Sequence, residues 1–170
     1  FWDQRRLDRA ATTLTLDRLA PPPVPFYDEG TGLLWFGGRG SVVPYVETSG
    51  IAPYVLRTGR ASTGGTTLEG MCLLPKLFCD VAGCEVARFV CLTHTPGSAL
   101  GAVAPLSFAV PRKDRHLFQE DLFPPVPGQE PVVDNALAFF SADGPAETRP
   151  RLVSLQPPGM PSVYDVAEAE

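Results

Sequence analysis

Proline and glycine are the residues that most constrain the fold of this 170-residue chain. The chain contains 19 Pro and 16 Gly, spread along the sequence instead of being gathered in one linker. Both residue types interrupt regular structure and mark turns, so this distribution predicts many short strands joined by turns. Hydrophobic residues make up 44% of the chain and charged residues 19%, which fits a buried core and argues against disorder. We therefore expect a folded, all-β unit.

Apolar runs alternate with turns in the first 60 residues. The pattern predicts strands at 13–19, 24–27, 33–36, 41–47 and 53–58. A Gly-containing loop at 28–32 and a Gly-Gly-Arg-Gly turn at 37–40 join the middle runs, as in hairpins. Pro44 argues against a well-paired central strand at 41–47, because proline lacks the N–H that a ladder needs. The last four runs predict a four-stranded antiparallel meander.

A second set of strands is predicted after a polar loop at 60–69, which we expect to be flexible. Its runs lie at 71–76, 84–92 and 105–111. The 84–92 run could also be helical from its Ala and Glu content, but its β-branched and aromatic residues favour a strand. Repeated four-stranded units are typical of propeller blades, and a closed propeller needs about 4–8 of them. Because the chain also starts without Met, we expect it to be part of a longer protein.

The sequence changes character after Pro111. Pro131 could start a short helix that presents Val132, Val133, Ala136, Leu137 and Phe140 on one side and ends before Gly144. One last strand or extended segment is predicted at 151–155. The predicted organisation is the end of a preceding blade at 1–22, a penultimate blade at 23–60, a last blade at 61–111, a C-terminal extension at 112–156 and a disordered acidic tail at 157–170.

Charge and hydropathy exclude some classes of function. The net charge of −5 gives a phosphate backbone no general attraction, so nucleic acid is not an expected partner. No apolar run reaches the roughly 18–20 residues needed to cross a bilayer, and the N-terminus does not resemble a signal peptide. We therefore expect a cytoplasmic protein.

Residues that could carry chemistry do not form a catalytic or metal-binding pattern. Cys72, Cys79, Cys84 and Cys91 lack zinc-site spacing, so we expect buried, reduced thiols and no metal or cofactor. Glu120 and Asp121 are adjacent and would point in opposite directions, whereas His94 and His116 have no nucleophile motif nearby. The turn at 37–40 lacks the Lys-Ser/Thr of a phosphate-binding loop. A hydrolase is the disfavoured alternative.

Three segments resemble the coronin family. Ala109–Pro125 (AVPRKDRHLFQEDLFPP) resembles the coronin signature, Glu69–Leu92 is similar to the last coronin blade, and Val24–Glu47 is similar to the blade before it. Phe1-Trp2-Asp3 resembles the Trp-Asp end of a WD-repeat blade. The signature residues are Leu117, Phe118, Gln119, Glu120, Asp121, Leu122, Phe123 and Pro124. The resemblance implies a partial WD-repeat β-propeller of about two four-stranded blades, with a C-terminal extension that contains one short helix.

The resemblance also implies how the extension is attached. It implies that the segment after Pro111 folds back along the propeller, with Phe118, Leu122 and Phe123 as anchors worth about 1.5–3 kcal/mol each if fully buried. Glu120 and Asp121 would stay at the solvated edge. The 151–163 segment resembles the stretch after the second propeller of the long, tandem-propeller coronins. No coiled-coil heptads follow it, so no oligomer is predicted from this chain.

The function implied by the resemblance is a non-catalytic scaffold that binds actin filaments or their regulators, in the cytoplasm and associated with the cytoskeleton. The alternative is the long-coronin role in Golgi or endosomal traffic, through adaptor proteins and at the vesicle periphery, without strong actin binding. The candidate contact residues are Arg39, Arg112, Lys113 and Arg115, which could meet acidic actin or anionic lipid headgroups. The competing interpretation of these basic residues is a solvated loop.

Overall fold

Two antiparallel sheets pack against each other in the computed structural model, which describes residues 1–16, 22–95, 97–98, 100–130, 137, 140 and 150–167. The first sheet has the order β1 (Val24–Asp28), β2 (Leu33–Gly37), β3 (Val42–Thr48) and β4 (Val55–Ser62). The second has the order β5 (Thr67–Leu73), β6 (Glu85–His94) and β7 (Gly101–Ala109). This arrangement confirms a partial propeller built from antiparallel units.

The turn between β1 and β2 depends on Gly32. Its φ of +67° lies in the left-handed region, which glycine adopts without a steric penalty. A Cβ at this position would lie 2.9 Å from the carbonyl oxygen of Thr48, so the β3 backbone approaches too closely for a side chain. Thr48 in turn donates backbone and hydroxyl hydrogen bonds to the Gly32 carbonyl, at 2.8 and 2.7 Å. The turn is thereby tied to the end of β3.

The second sheet has three strands among the described residues. Between β5 and β6 the chain makes one 3-10 turn at Lys76–Phe78. β6 is the central strand, and half of its ten residues are buried. β7 pairs with β6 along its whole length and has no strand on its other side in the part of the chain that the structure describes. Within the described ranges the second unit therefore has one strand fewer than the first, as expected from the sequence.

The main core lies between the two sheets. Trp35 and Val43 from the first sheet pack with Leu68, Phe89 and Cys91 from the second. The aromatic rings form a continuous cluster in which Trp35 lies 4.3 Å from the Phe108 ring and 6.0 Å from the Phe89 ring. Side chains that alternate along paired strands thus supply one shared apolar layer.

A second core attaches the C-terminal extension to the sheets. Cys84 and Val86 pack with Phe118, Leu122 and Phe123, and Leu155 and Met160 cover this cluster. Beyond it, β8 (Val126–Pro127) pairs with β9 (Leu152–Val153), and α1 (Val163–Ala167) ends the described chain. None of the helices in the described ranges is long and apolar enough to cross a membrane.

Two expectations about the strands need correction, and a third is met in part. Pro44 does lie inside the internal strand β3, but it is paired only with Arg60 of β4, because the ladder to β2 stops at Tyr45. The segment 60–69 is not a flexible loop, since β4 continues to Ser62 and β5 begins at Thr67.

The strand predicted at 13–19 is not observed. No strand forms at Thr13–Leu16, and the rest of that predicted strand lies outside the described residues. Every second residue here is nevertheless partly buried, namely Thr12, Leu14 and Leu16. The period-two pattern therefore correctly predicted which side of the segment faces the protein.

The tail also differs from the expectation of disorder at 157–170. Ser162 forms a parallel bridge with Phe118, and the amides of Phe118 and Val163 donate across it at 2.8 and 3.2 Å. Residues 157–167 are therefore part of the fold, while 168–170 are outside the described residues. The helix predicted at 131–143 also lies outside them, apart from the exposed residues Leu137 and Phe140.

Candidate interaction surface

The signature segment 117–123 is held by buried side chains. Phe118 is 3% exposed, Leu122 8% and Phe123 1%, and the two aromatic rings stack with centroids 6.2 Å apart. All three expected anchors are therefore buried against Cys84 and Val86. Asp121 is exposed as expected, but Glu120 is partly buried and its Oε2 has no hydrogen-bond partner in the described structure. The segment thus forms a firm base for the residues that precede it.

A basic turn, defined here as residues 112–116, projects from this base. Lys113, Arg115 and His116 are exposed, whereas Arg112 forms an ion pair with Asp121. The buried side chain of Gln119 donates from Nε2 to the carbonyl oxygens of Asp114 and Leu117, at 3.0 and 3.1 Å. The pairing neutralises Arg112, so Lys113 and Arg115 are the cations of this turn that face solvent without an ion pair among the described residues.

Arg39 does not join the basic turn. It donates to Glu69 at 2.5 Å, beside the end of the second sheet where His94 pairs with Gly101. The basic turn instead follows Ala109 at the other end of β7. The eight residue steps of β7 between these ends span about 26 Å. The structure therefore brings Arg112, Lys113 and Arg115 together and leaves Arg39 apart, so a contact at Arg39 stays a separate prediction.

Asp28 and Lys76 form a largely buried ion pair that links the two sheets. The Lys76 side chain is 7% exposed and that of Asp28 is 13% exposed. The hydroxyl of Thr31 also donates to Asp28 Oδ2, at 2.5 Å. Lys76 lies in the 3-10 turn of the second unit and Asp28 ends β1 of the first, so the pair fixes how these two parts meet.

Glu85 is the centre of a second polar cluster. Its carboxylate accepts from Arg88 Nε at 2.8 Å, from Arg88 Nη2 at 2.5 Å and from the Asp80 amide at 2.6 Å. Burial alone would raise the pKa of Glu85, but the hydrogen bonds from Arg88, Ser107 and Asp80 outweigh burial and lower that pKa below its usual value. The cluster therefore requires an ionised carboxylate.

We expect Glu85→Gln to lower the free energy of unfolding at pH 7 by roughly 1–3 kcal/mol, because a charge-assisted hydrogen-bond set is lost. A lowered pKa in the folded state means that the stabilisation is complete above the ordinary value of 4.5 and is lost as pH falls through the lower folded value. The stability difference between the wild type and Glu85→Gln should therefore shrink as the pH falls below about 4.5, as measured by urea unfolding across pH.

The matched control is Glu47→Gln, which removes a carboxylate from a partly exposed pair whose N–O distance to Arg57 is 4.0 Å. It should change stability by less than about 0.5 kcal/mol at any pH. A pH-independent effect of Glu85→Gln would contradict the assignment.

The cysteines are free thiols, but they are not all buried. Cys84 and Cys91 are buried, Cys79 is half-buried and Cys72 is exposed, so the expectation of burial is wrong for Cys72 and only partly met by Cys79. Burial, with a contribution from nearby Glu85, raises the pKa of Cys79 to about 11.

Within the described ranges no group of three or more His, Cys, Asp or Glu residues could hold a metal ion. His94 and His116 lie far apart in the fold, near opposite ends of β7.

Sequence reasoning missed three residues that organise this surface. Gln119 was noted only as part of the signature, although its amide positions the basic turn. Lys76 was placed at the end of a predicted strand and Asp28 in a predicted loop, and their contact was missed because a pairing between residues 48 positions apart leaves no local pattern. A Lys between two apolar residues, Pro75 and Leu77, was the one available sign that its charge would be buried.

Comparisons with known proteins agree with this architecture. A family model described as a type of WD40 repeat matches residues 103–141. Villidin of Dictyostelium discoideum is 36% identical over 172 residues, which is 100% of this chain and 10% of villidin. Coronin-7 of Mus musculus is 35% identical over 152 residues, which is 88% of this chain and 15% of Coronin-7. This chain therefore spans a small part of either relative.

A solved structure extends the comparison to the fold. The crystal structure of the WD40 domain from Toxoplasma gondii coronin superposes with a TM-score of 0.64 at 30% sequence identity. The match covers 84% of this chain and 34% of that structure.

Proposed function

Because the chain is a coronin-type segment of a WD-repeat propeller, we propose that it serves as a non-catalytic scaffold in actin filament binding and regulation of the cytoskeleton. The proposal implies a cytoplasmic protein associated with the cytoskeleton. It rests on the relation to coronins and on one structural observation, which is the fixed display of Lys113 and Arg115.

The basic turn supports the proposal because its cations, Lys113 and Arg115, are exposed while its backbone is held in place by hydrogen bonds. Gln119 holds the turn backbone, and the buried anchors Phe118 and Phe123 hold Gln119. A charged group that is already positioned loses less conformational entropy on binding than one on a mobile loop. The basic turn is therefore suited to contact an acidic partner surface such as that of actin.

Actin co-sedimentation of the full-length protein tests the proposal. The wild type should pellet with filaments at low salt, and Lys113→Glu with Arg115→Glu should weaken binding by about tenfold, an effect that shrinks as added salt screens the charges. Arg6→Glu with Arg9→Glu reverses the same charge at two exposed N-terminal residues and serves as the control. Failure of the wild type to pellet, or equal loss in both double variants, would contradict the proposal.

A second candidate function uses the same turn. Lys113 and Arg115 would also suit anionic lipid headgroups or an acidic trafficking adaptor, which would place the protein at the Golgi or vesicle periphery. Flotation with vesicles containing phosphatidylserine distinguishes the two functions. Vesicle binding that depends on the turn, together with no actin pelleting, would favour the trafficking role.

A further inference from the structure

A groove runs between three separate parts of the fold and is lined by none of the residues of the basic turn. Its walls come from the turn between β1 and β2, from the 3-10 turn after β5, and from the proline-rich segment 124–127 of the extension together with β9. The volume is about 630 Å³, within the roughly 300–1,000 Å³ of typical ligand sites. We call it the proline groove; the residues that line it include Gly30, Pro75, Leu77, Pro124, Val126 and Leu152.

The proline groove is preformed. Gly30 lies so close to the extension that a Cβ there would meet Pro124 Cγ at 3.1 Å. The buried ion pair between Asp28 and Lys76 joins the first two walls. Pairing of Val126 with Val153 fixes the third wall. A ligand would therefore bind without ordering these segments first, which lowers the entropic penalty of binding.

Charge and polarity at the groove select one kind of occupant. The walls are mainly apolar, with proline rings and the side chains of Leu77 and Leu152. Lys76 is neutralised by Asp28, so it does not attract an anion. Glu29 is exposed at the rim and has no ion pair among the described residues. An apolar anchor beside a basic group would therefore complement both the walls and the rim.

We propose that the proline groove binds an extended peptide segment of a partner protein, with one large apolar side chain in the groove and a flanking Lys or Arg at Glu29. Grooves between fixed walls suit an extended backbone, because every second side chain of such a backbone points to the same side and can reach the groove or its rim. This site goes beyond the scaffold role proposed above and uses none of the residues of the basic turn. Its test is therefore independent of actin binding.

Fluorescence polarisation with two labelled peptide sets tests the proposal on the full-length protein. The peptides of the first set have the sequence Lys-Ala-X-Ala-Lys, where X is Leu, Ile, Phe, Trp or Met. In the second set, Glu replaces both Lys residues. At least one Lys-flanked peptide should bind, about fivefold or more tightly than its Glu-flanked counterpart. Leu152→Asp should weaken that binding at least fivefold, and Glu29→Lys should remove the preference for the Lys-flanked peptide. Leu152 is 60% exposed, so its substitution should not unfold the protein.

Val103→Asp is the matched control, because Val103 is also exposed and apolar but lies on β7. This control should leave peptide binding unchanged. The proposal is overturned if no peptide in either set binds, if both sets bind equally, or if Leu152→Asp and Val103→Asp have the same effect. It is also overturned if the protein self-associates through this face, shown by a dimer in sedimentation that Leu152→Asp abolishes.

Discussion

Phe123→Ala is expected to lower the free energy of unfolding by about 3–5 kcal/mol, which is the usual loss for a fully buried phenylalanine in a core. Phe123 is 1% exposed and packs with Cys84, Val86, Phe118 and Leu122. Among the described residues, this cluster packs the extension against the sheets. The substitution should therefore also loosen the signature segment and, with it, the base of the basic turn.

Urea unfolding followed by tryptophan fluorescence measures this effect. Phe78→Ala is the matched control, since Phe78 is 52% exposed in the 3-10 turn and should lose less than about 1 kcal/mol. If the two alanine variants lost the same stability, Phe123 would not be a core residue and the packing of the extension would be wrong.

Lys76→Met is expected to lower the free energy of unfolding by a similar amount, about 3–5 kcal/mol, for an electrostatic reason. Methionine keeps much of the length of the Lys side chain but removes the charge, so the Asp28 carboxylate is left buried without its cation. Both partners are nearly excluded from solvent, with exposed side-chain fractions of 7% and 13%. The pair joins β1 to the second unit, so its loss should also weaken the contact between the sheets.

The control for this prediction is Arg57→Met, which breaks an exposed pair with Glu47 and should change stability by less than about 1 kcal/mol. Adding Asp28→Asn to Lys76→Met should recover part of the loss, because the unpaired charge is then gone. Equal effects of Lys76→Met and Arg57→Met, or a further loss in the double variant, would show that the pair is not buried in solution.

Most strands were predictable because alternation and turn chemistry are local. Glycine-containing turns at 28–32 and 37–40 separate the first three apolar runs. As a result, β1, β2 and β3 begin and end within one or two residues of the prediction. β4 and β5 extend into the polar segment at 60–69, where Thr and Ser do not signal a strand by hydrophobicity. Their pairing with β3 and β6 overrides the weak local preference.

Expectations that depended on distant contacts were less accurate. A composition rich in Pro and acidic residues predicted a disordered tail, yet the backbone around Ser162 pairs with Phe118 and Met160 covers the second core. Ser162 accepts the Tyr164 amide at 3.0 Å and donates its own amide to Asp165 at 3.0 Å, so the short helix has local support as well. Composition alone contains no information about either contact.

The candidate surface was predicted in part. Phe118, Leu122 and Phe123 were expected as anchors from the resemblance, and all three are buried. The grouping of Arg112, Lys113 and Arg115 followed from their proximity in sequence, but the ion pair of Arg112 with Asp121 did not. Arg39 was grouped with them because the order of the turns along the chain does not reveal which end of a sheet each turn occupies.

The central claim is that the C-terminal extension is a fixed part of the last propeller unit and displays the basic turn. Amide hydrogen exchange by NMR on the native protein tests it most directly. The Phe118 and Val163 amides, which donate across the bridge at 2.8 and 3.2 Å, should exchange at least about 100-fold more slowly than the amide of exposed Lys113. Exchange of all three amides at the rate of an unstructured peptide would contradict the claim.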